Sequence, residues 1–271
     1  MSLNIPKLFI RYSRTHPGLV GQHREYIHFL SGGMAVKLFL YAQKVTPSTP
    51  VKSTTDFDFV FAVPNKLSDS QVKLKFDSMD KMMSKHVMGF EHWLSTTYKI
   101  PCKITKETLV PPVRYNPITK KRIYKVIQFK IQIPGRKPEG LVDSTLTYIP
   151  GVRRHHLMKT YTSKFGMPVQ QLKYIYKGVL SVLASSFSNF AQKNTSLGSR
   201  NPLTGNRKEK GLKNTERIAN LIRAKASATT AAEKLIKHIR SGNVEKAYKE
   251  ANRVIKNLAK SKSIKKSTPR V

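Results

Sequence analysis

Two aspartates one residue apart, Asp56 and Asp58, are the side chains in this sequence whose type and spacing best suit chemistry. They lie in the segment DFDFVFAV, whose composition is typical of a buried strand. Residues at i and i+2 of a strand project from the same face, so the two carboxylates share one face, while Phe57, Phe59 and Phe61 project from the other. Carboxylate oxygens are the ligands that Mg²⁺ and Mn²⁺ prefer, so the pair is a candidate metal site. A solvated strand end is the alternative interpretation.

A glycine pair precedes these acids. Gly32 and Gly33 follow an apolar run and come directly before a short segment, residues 34–42, whose composition predicts a helix packed on a sheet. Glycine lets the main chain approach a ligand closely, and the free N–H groups of a helix N-terminus bind phosphate. The segment is therefore a candidate cradle for a nucleoside triphosphate, with contacts from Gly32, Gly33, Met34 and Lys37. A simple turn is the alternative.

The elements around these residues predict an α+β fold. Ser68 and Gln71 have the spacing of a capping box and open a helix predicted over residues 68–95. Residues 99–149 alternate between apolar and polar side chains as strands do, and Pro168 is placed to begin a later helix. We therefore expect a mixed sheet with flanking helices, followed by a basic, all-helical C-terminal region.

The same patterns divide the chain into five parts. Residues 1–22 are predicted to be an irregular basic lead-in, because Pro6, Pro17 and Gly18 oppose a helix. An α/β domain is predicted over residues 23–150, a helical domain with a basic linker over 151–226, and an α-hairpin over 227–262. Residues 263–271 are predicted to be a disordered basic tail.

The charge balance favours a polyanionic partner. The chain has 50 Lys and Arg residues against 15 Asp and Glu, a net charge of +35. Such a field attracts nucleic acid through its phosphates, and the attraction weakens as salt rises. Basic residues on helix faces opposite the apolar stripes are the candidate phosphate contacts: Lys208, Lys210, Lys213, Arg217, Arg223, Lys246, Lys249 and Arg253. A solvated helix surface is the alternative for this set.

Cysteine usage and hydropathy limit the compartment. A single cysteine, Cys102, excludes an internal disulfide and a multi-cysteine zinc site, which favours a reducing, intracellular compartment. No run approaches the roughly 18 apolar residues of a membrane span. An organelle presequence at the N-terminus is the alternative to a protein that stays where it is made.

The order of these motifs resembles the polymerase-beta-like nucleotidyltransferase superfamily. The matching residues are Gly32 and Gly33, then Phe57-Asp58-Phe59 with Asp56 before them. The chain is most similar to the poly(A) polymerase-like proteins of large cytoplasmic DNA viruses, in segments such as YTSKFGMPVQQLKYIYKGVL.

That resemblance implies a two-metal enzyme that uses ATP or another nucleoside triphosphate to extend a nucleic-acid 3′ end, RNA rather than DNA. It implies that Asp143, in LVDST, is the third metal carboxylate beside Asp56 and Asp58. It also implies a cytoplasmic or virion location and a processivity or virion partner. Met34 departs from the family pattern, which has a phosphate-binding Ser or Thr at this position. A nucleic-acid-binding protein that kept the fold without catalysis is therefore the second hypothesis.

Overall fold

The computed structural model describes residues 4–20, 26–45, 56–109, 114–116, 121–152, 164–187, 208–224 and 229–263. These residues form two compact units. A sheet unit comprises residues 1–35 and 54–171, and a helical unit comprises residues 36–53 and 172–271. The predicted α+β class is confirmed, with a mixed sheet, flanking helices and a helical C-terminal region.

Among the described residues, the sheet unit contains six strands that form a mixed sheet. They are β1 (Ile27–Ser31), β2 (Phe57–Val63), β3 (Lys103–Leu109), β4 (Arg114–Asn116), β5 (Lys121–Gln132) and β6 (Glu139–Tyr148). The order across the sheet is β1-β2-β6-β5-β3, with β4 paired to β5. The β2–β6 pair is parallel and the other pairs are antiparallel. The parallel pair places the start of β2 beside the start of β6.

Aromatic side chains cover one face of this sheet. Phe57, Phe59 and Phe61 are fully buried, as their alternation with the acids predicts. Helix α3 (Asp69–Thr97) packs on this face, and it begins with the predicted capping box between Ser68 and Gln71. The back face of β2 is therefore a hydrophobic core, which leaves the opposite face for polar groups.

The prediction of an irregular lead-in is wrong, because residues Ile5–Thr15 form a helix, α1. The Asn4 side chain caps the helix by accepting a hydrogen bond of 3.0 Å from the Lys7 N–H. Pro6 lies in the first turn, where a missing N–H removes no helical hydrogen bond. Phe9 is fully buried, and its ring centroid lies 4.7 Å from that of Phe57 on β2. Packing of this apolar face of α1 against the sheet therefore stabilises the helix.

In the part of the chain that the structure describes, the helical unit contains the later part of α2 (Gly32–Ala42) and four further helices. These are α4 (Leu172–Phe187), α5 (Lys208–Arg223), α6 (Thr230–Arg240) and α7 (Val244–Ser263). The expectation that Pro168 begins a helix is wrong, because α4 starts at Leu172 and the Pro168 carbonyl accepts a hydrogen bond from the Leu30 N–H. The Arg240 guanidinium joins α6 to α5 by donating three hydrogen bonds to the Glu216 carboxylate, of 2.9, 3.0 and 3.1 Å.

Among the described residues, no helix is both long enough and apolar enough to cross a membrane. Of the tail predicted over residues 263–271, Ser263 is the last residue of α7, and residues 264–271 lie outside the described residues, as does most of the predicted basic linker.

Candidate metal centre

Three aspartates from two adjacent strands converge on the polar face of the sheet. Asp58 on β2 is the register partner of Asp143 on β6, and Asp56 directly precedes β2. One carboxylate oxygen from each of the three lies within 4.8 Å of the other two. The structure therefore brings together the pair read from the sequence and the third carboxylate that the family resemblance implied.

This spacing suits a divalent cation. Two oxygens on opposite sides of one Mg²⁺ lie about 4 Å apart, twice the Mg–O distance. The three carboxylates supply only hard oxygen ligands, which Mg²⁺ and Mn²⁺ prefer to nitrogen or sulfur. All three side chains are half-buried, so they keep an open side for solvent or substrate. The residues present therefore fit one or two such ions.

A neighbouring glutamine orients Asp143. The Gln128 side-chain amide on β5 donates a hydrogen bond of 3.2 Å to Oδ2 of Asp143, and the two residues are register partners across β5 and β6. Burial raises the pKa of the Asp143 carboxyl, and the charge of Asp56 raises this pKa further. The Gln128 hydrogen bond and the nearby Lys130 ammonium oppose these effects. A divalent cation would relieve the repulsion between the carboxylates.

Gly32 lies directly against Asp58. Its φ is +65°, in the left-handed region that favours glycine. A Cβ at Gly32 would lie 2.1 Å from Oδ2 of Asp58, closer than any two non-bonded atoms approach. Both the backbone angle and the space that the Asp58 carboxylate occupies favour glycine here. The first glycine of the predicted cradle therefore also makes room for a metal ligand.

The other predicted cradle residues lie in different surroundings. Helix α2 begins at Gly32 itself, two residues earlier than predicted. Gly33 is buried, and Met34 is 1% exposed, so only its main-chain groups could reach a phosphate. Lys37 is exposed and belongs to the helical unit. Of the predicted phosphate contacts, the main-chain N–H groups in the first turn of α2 are the ones placed beside the acids. A phosphate contact by Lys37 stays a prediction.

The predicted phosphate-binding side chains of the helical unit have different environments. Lys249 pairs with Glu245 at 3.0 Å and Arg253 pairs with Glu250 at 2.8 Å, so an acid lies beside each of these two cations. Arg217 donates to the Asn214 side chain at 3.0 Å. The remaining described members are exposed or half-buried: Lys213, Arg223 and Lys246. The side chains of Lys208 and Lys210 lie outside the described part.

Gln128 and Ser31 are site residues that sequence reasoning did not select. Ser31 is half-buried and is the register partner of Asp58. The alternation of β5 placed Gln128 on a polar face, but only the strand pairing shows that this face carries the acids. Strand order and register are tertiary properties, so no local pattern could have identified either residue.

Comparisons with known proteins add little to this geometry. No protein-family model matches the chain, and no curated protein matches it either. Two solved structures are similar over nearly the whole chain. A candidate nucleotidyltransferase from H. pylori is 12% identical, with 95% of this chain and 96% of that chain covered and a TM-score of 0.30. JHP933 from Helicobacter pylori is 9% identical, with 97% and 95% covered and a TM-score of 0.32. Both TM-scores are low, so these likenesses establish nothing about function.

Proposed function

We propose that this chain is a metal-dependent nucleotidyltransferase that adds nucleotides to the 3′ end of a nucleic acid. The observation that carries the proposal is the convergence of Asp56, Asp58 and Asp143 within 4.8 Å beside the start of α2. Nucleotidyl transfer needs carboxylates that hold divalent cations near a triphosphate. The acids and the main-chain donors of Gly32 and Gly33 meet this need within one unit.

Each residue has a separate task in this reaction. Asp56 and Asp58 would hold the ions from β2, and Asp143 would hold the ion nearest the attacking hydroxyl. Bound Mg²⁺ or Mn²⁺ would neutralise charge on the triphosphate and on the attacking and leaving oxygens. Gln128 keeps the Asp143 carboxylate in one orientation through its 3.2 Å hydrogen bond. The N–H groups at the start of α2 would bind phosphate oxygens, as free helix N-termini do.

The finer assignments rest on the sequence resemblance. These are ATP as the nucleotide, with AMP transferred to the growing end, and RNA rather than DNA as the acceptor. A cytoplasmic or virion location and a processivity or virion partner belong to the same set. The net charge of +35 supports a nucleic-acid partner without selecting among these.

Primer extension tests the proposal. Purified protein is incubated with labelled RNA or DNA primers, each nucleoside triphosphate in turn, and Mg²⁺ or Mn²⁺. We expect incorporation by the wild type and at least a hundredfold loss in Asp58→Asn, on the scale of removing one essential electrostatic group. Asp77→Asn is the matched control, because Asp77 is an exposed acid on α3 of the same unit. No incorporation, or equal incorporation by Asp58→Asn, would sink the proposal.

A second candidate is a nucleic-acid-binding protein without catalysis. Met34 favours it, because its side chain carries no hydroxyl to bind a phosphate and is buried. The same samples separate the two candidates. If the chain only binds nucleic acid, the wild type and Asp58→Asn should bind the primer equally well. Neither should incorporate nucleotide with Mg²⁺ or with Mn²⁺.

A further inference from the structure

Four rings cluster where the end of α1 meets the end of α3. The Trp93 and Tyr98 ring centroids are 4.9 Å apart in an edge-to-face arrangement. Tyr12 lies 5.6 Å from Trp93, and His16 stacks on Tyr12 at 4.4 Å. Tyr12 is buried, whereas Trp93 and Tyr98 are half-buried and His16 is exposed. The inner ring therefore supports an outer set of rings that remains partly open to solvent.

Exposed cations lie on α1, the helix that carries Tyr12 at its end. Lys7, Arg11 and Arg14 are exposed on one face of α1, at the i, i+4, i+7 spacing of neighbouring turns. The Arg11 guanidinium lies over the Tyr98 ring, 5.8 Å from its centroid. None of the three forms an ion pair with a residue that the structure describes, and residues 4–16 contain no acid. This positive face has no internal counterion within the described part of the unit.

Lys99 adds a charge at a conformational cost. It follows Tyr98 and has a φ of 53°, where glycine is the usual residue. The N–H groups of Tyr98 and Ile100 both donate to the Leu94 carbonyl, at 3.1 and 3.2 Å, as at helix ends that close through a left-handed residue. Glycine would suit this backbone better. Lys99 therefore presents an exposed charge directly beside the half-buried Tyr98 ring.

We propose that these residues form a binding platform for single-stranded nucleic acid: Arg11, Arg14, Trp93, Tyr98 and Lys99. Bases would stack on the exposed parts of the two half-buried aromatic rings, and phosphates would contact the three cations. Aromatic rings among cations are the common means of binding single strands without sequence preference. A duplex is a poorer ligand for this platform, because its base faces are already stacked on each other. An acidic peptide would pair with the cations but has no bases to stack on the aromatic rings.

The platform is distinct from the metal centre. Phe9 on α1 packs against Phe57, whose side chain projects from β2 on the face opposite Asp58. The platform thus belongs to the back of the sheet. It goes beyond the proposed function, because it needs neither metal nor nucleotide.

The single tryptophan of the chain supplies a direct signal. The full-length protein is titrated with a single-stranded oligonucleotide in the absence of divalent metal and nucleotide, with excitation selective for Trp93. We expect quenching that saturates, and an affinity that falls as salt rises. Tyr98→Ala should weaken binding by about 5-fold to 150-fold, the range measured for losing one stacked base.

Lys99→Gly is the sharper variant, because it removes the charge while relaxing the backbone. It should reduce the slope of log affinity against log salt by about 0.7, the effect of one lost phosphate contact on a single strand. Its thermal unfolding should match or exceed that of the wild type, so weaker binding cannot be ascribed to misfolding. Lys73→Gln is the matched control: Lys73 is exposed in the first turns of α3, and its loss should leave the quenching unchanged.

Three results would overturn the platform. One is equal quenching by duplex DNA and by inorganic polyphosphate, which would show attraction to any polyanion. Another is a poly-glutamate peptide that binds as tightly as the oligonucleotide and with the same loss in Lys99→Gly. The third is wild-type affinity in both Tyr98→Ala and Lys99→Gly. Because no metal is present, failure of primer extension leaves this test unaffected, and failure here leaves the metal centre unaffected.

Discussion

Replacing Gly32 by alanine should remove the metal site while leaving the fold intact. The new Cβ would clash with Oδ2 of Asp58 and would lie 3.0 Å from its Cγ and 3.2 Å from its Cβ. Rotation of the Asp58 side chain relieves the first two contacts, and a backbone shift of a few tenths of an ångström relieves the third. The fold would then survive, but Asp58 would no longer point at Asp56 and Asp143.

The cost to stability has one main component. Gly32 has a φ of +65°, and an L-residue in the left-handed region costs about 1–2 kcal/mol relative to glycine. The cost to metal affinity should be larger. Losing a group that merely orients a ligand costs about 10-fold to 100-fold in affinity, so displacing Asp58 itself should cost at least as much.

Gly135→Ala separates these two effects. Gly135 lies in the turn between β5 and β6 with a φ of +78°, and a Cβ there would meet nothing within 4 Å. It should lower the free energy of unfolding by the same 1–2 kcal/mol and leave metal binding unchanged. Gly135→Ala therefore tests the left-handed backbone alone, whereas Gly32→Ala tests the same backbone effect together with the clash against Asp58.

The assay is calorimetric titration of Mn²⁺ into each variant, with urea unfolding of the same samples. We expect wild-type affinity in Gly135→Ala and at least tenfold weaker binding in Gly32→Ala, at similar stability. Metal binding by Gly32→Ala at wild-type affinity would refute the placement of Asp58 beside this glycine. Equal losses in both variants would instead assign the effect to general destabilisation.

Two further predictions concern buried titratable groups. Burial and the nearby His16 lower the pKa of His86 to about 4, whereas its unfolded value is 6.5. The unfolded chain therefore takes up this proton first, and the wild type should lose about 3 kcal/mol relative to His86→Gln as pH falls from 6.5 to 4. Urea unfolding across that range measures the difference, with the exposed His92→Gln as control; parallel curves for wild type and His86→Gln would contradict it. Asp143→Asn should raise the melting temperature without metal, because it removes a carboxyl whose pKa burial has raised and keeps an acceptor for Gln128. A lower melting temperature would show that the charge stabilises the sheet.

Short-range patterns predicted much of the sheet unit. The alternation in DFDFVFAV correctly separated an acidic face from an aromatic one, because side-chain direction along a strand follows from sequence alone. The capping box at Ser68 likewise located the start of α3. Helix α1 was missed because Pro6 was taken as a helix breaker, although a proline in the first turn favours a helix.

Long-range pairing was beyond such patterns. Asp58 and Asp143 are far apart in sequence, and nothing local states that β2 and β6 are neighbours. The resemblance to known proteins supplied Asp143, whereas Gln128 had no such support. The platform around Trp93 forms only where α1 packs against α3. Because the sequence analysis predicted no helix in residues 1–22, it could not predict this cluster.

The aromatic core is what fixes the register of the metal ligands. In the parallel pair of β2 and β6, Phe57 is opposite Val142 and Phe61 is opposite Leu146, and all four are fully buried. A slip of one residue would move Asp143 to the buried face and expose Val142 or its neighbours. Because an unpaired carboxylate in an apolar core costs several kcal/mol, the slipped sheet is strongly disfavoured. Hydrophobic residues on the back of the sheet therefore hold the three carboxylates together against their own repulsion.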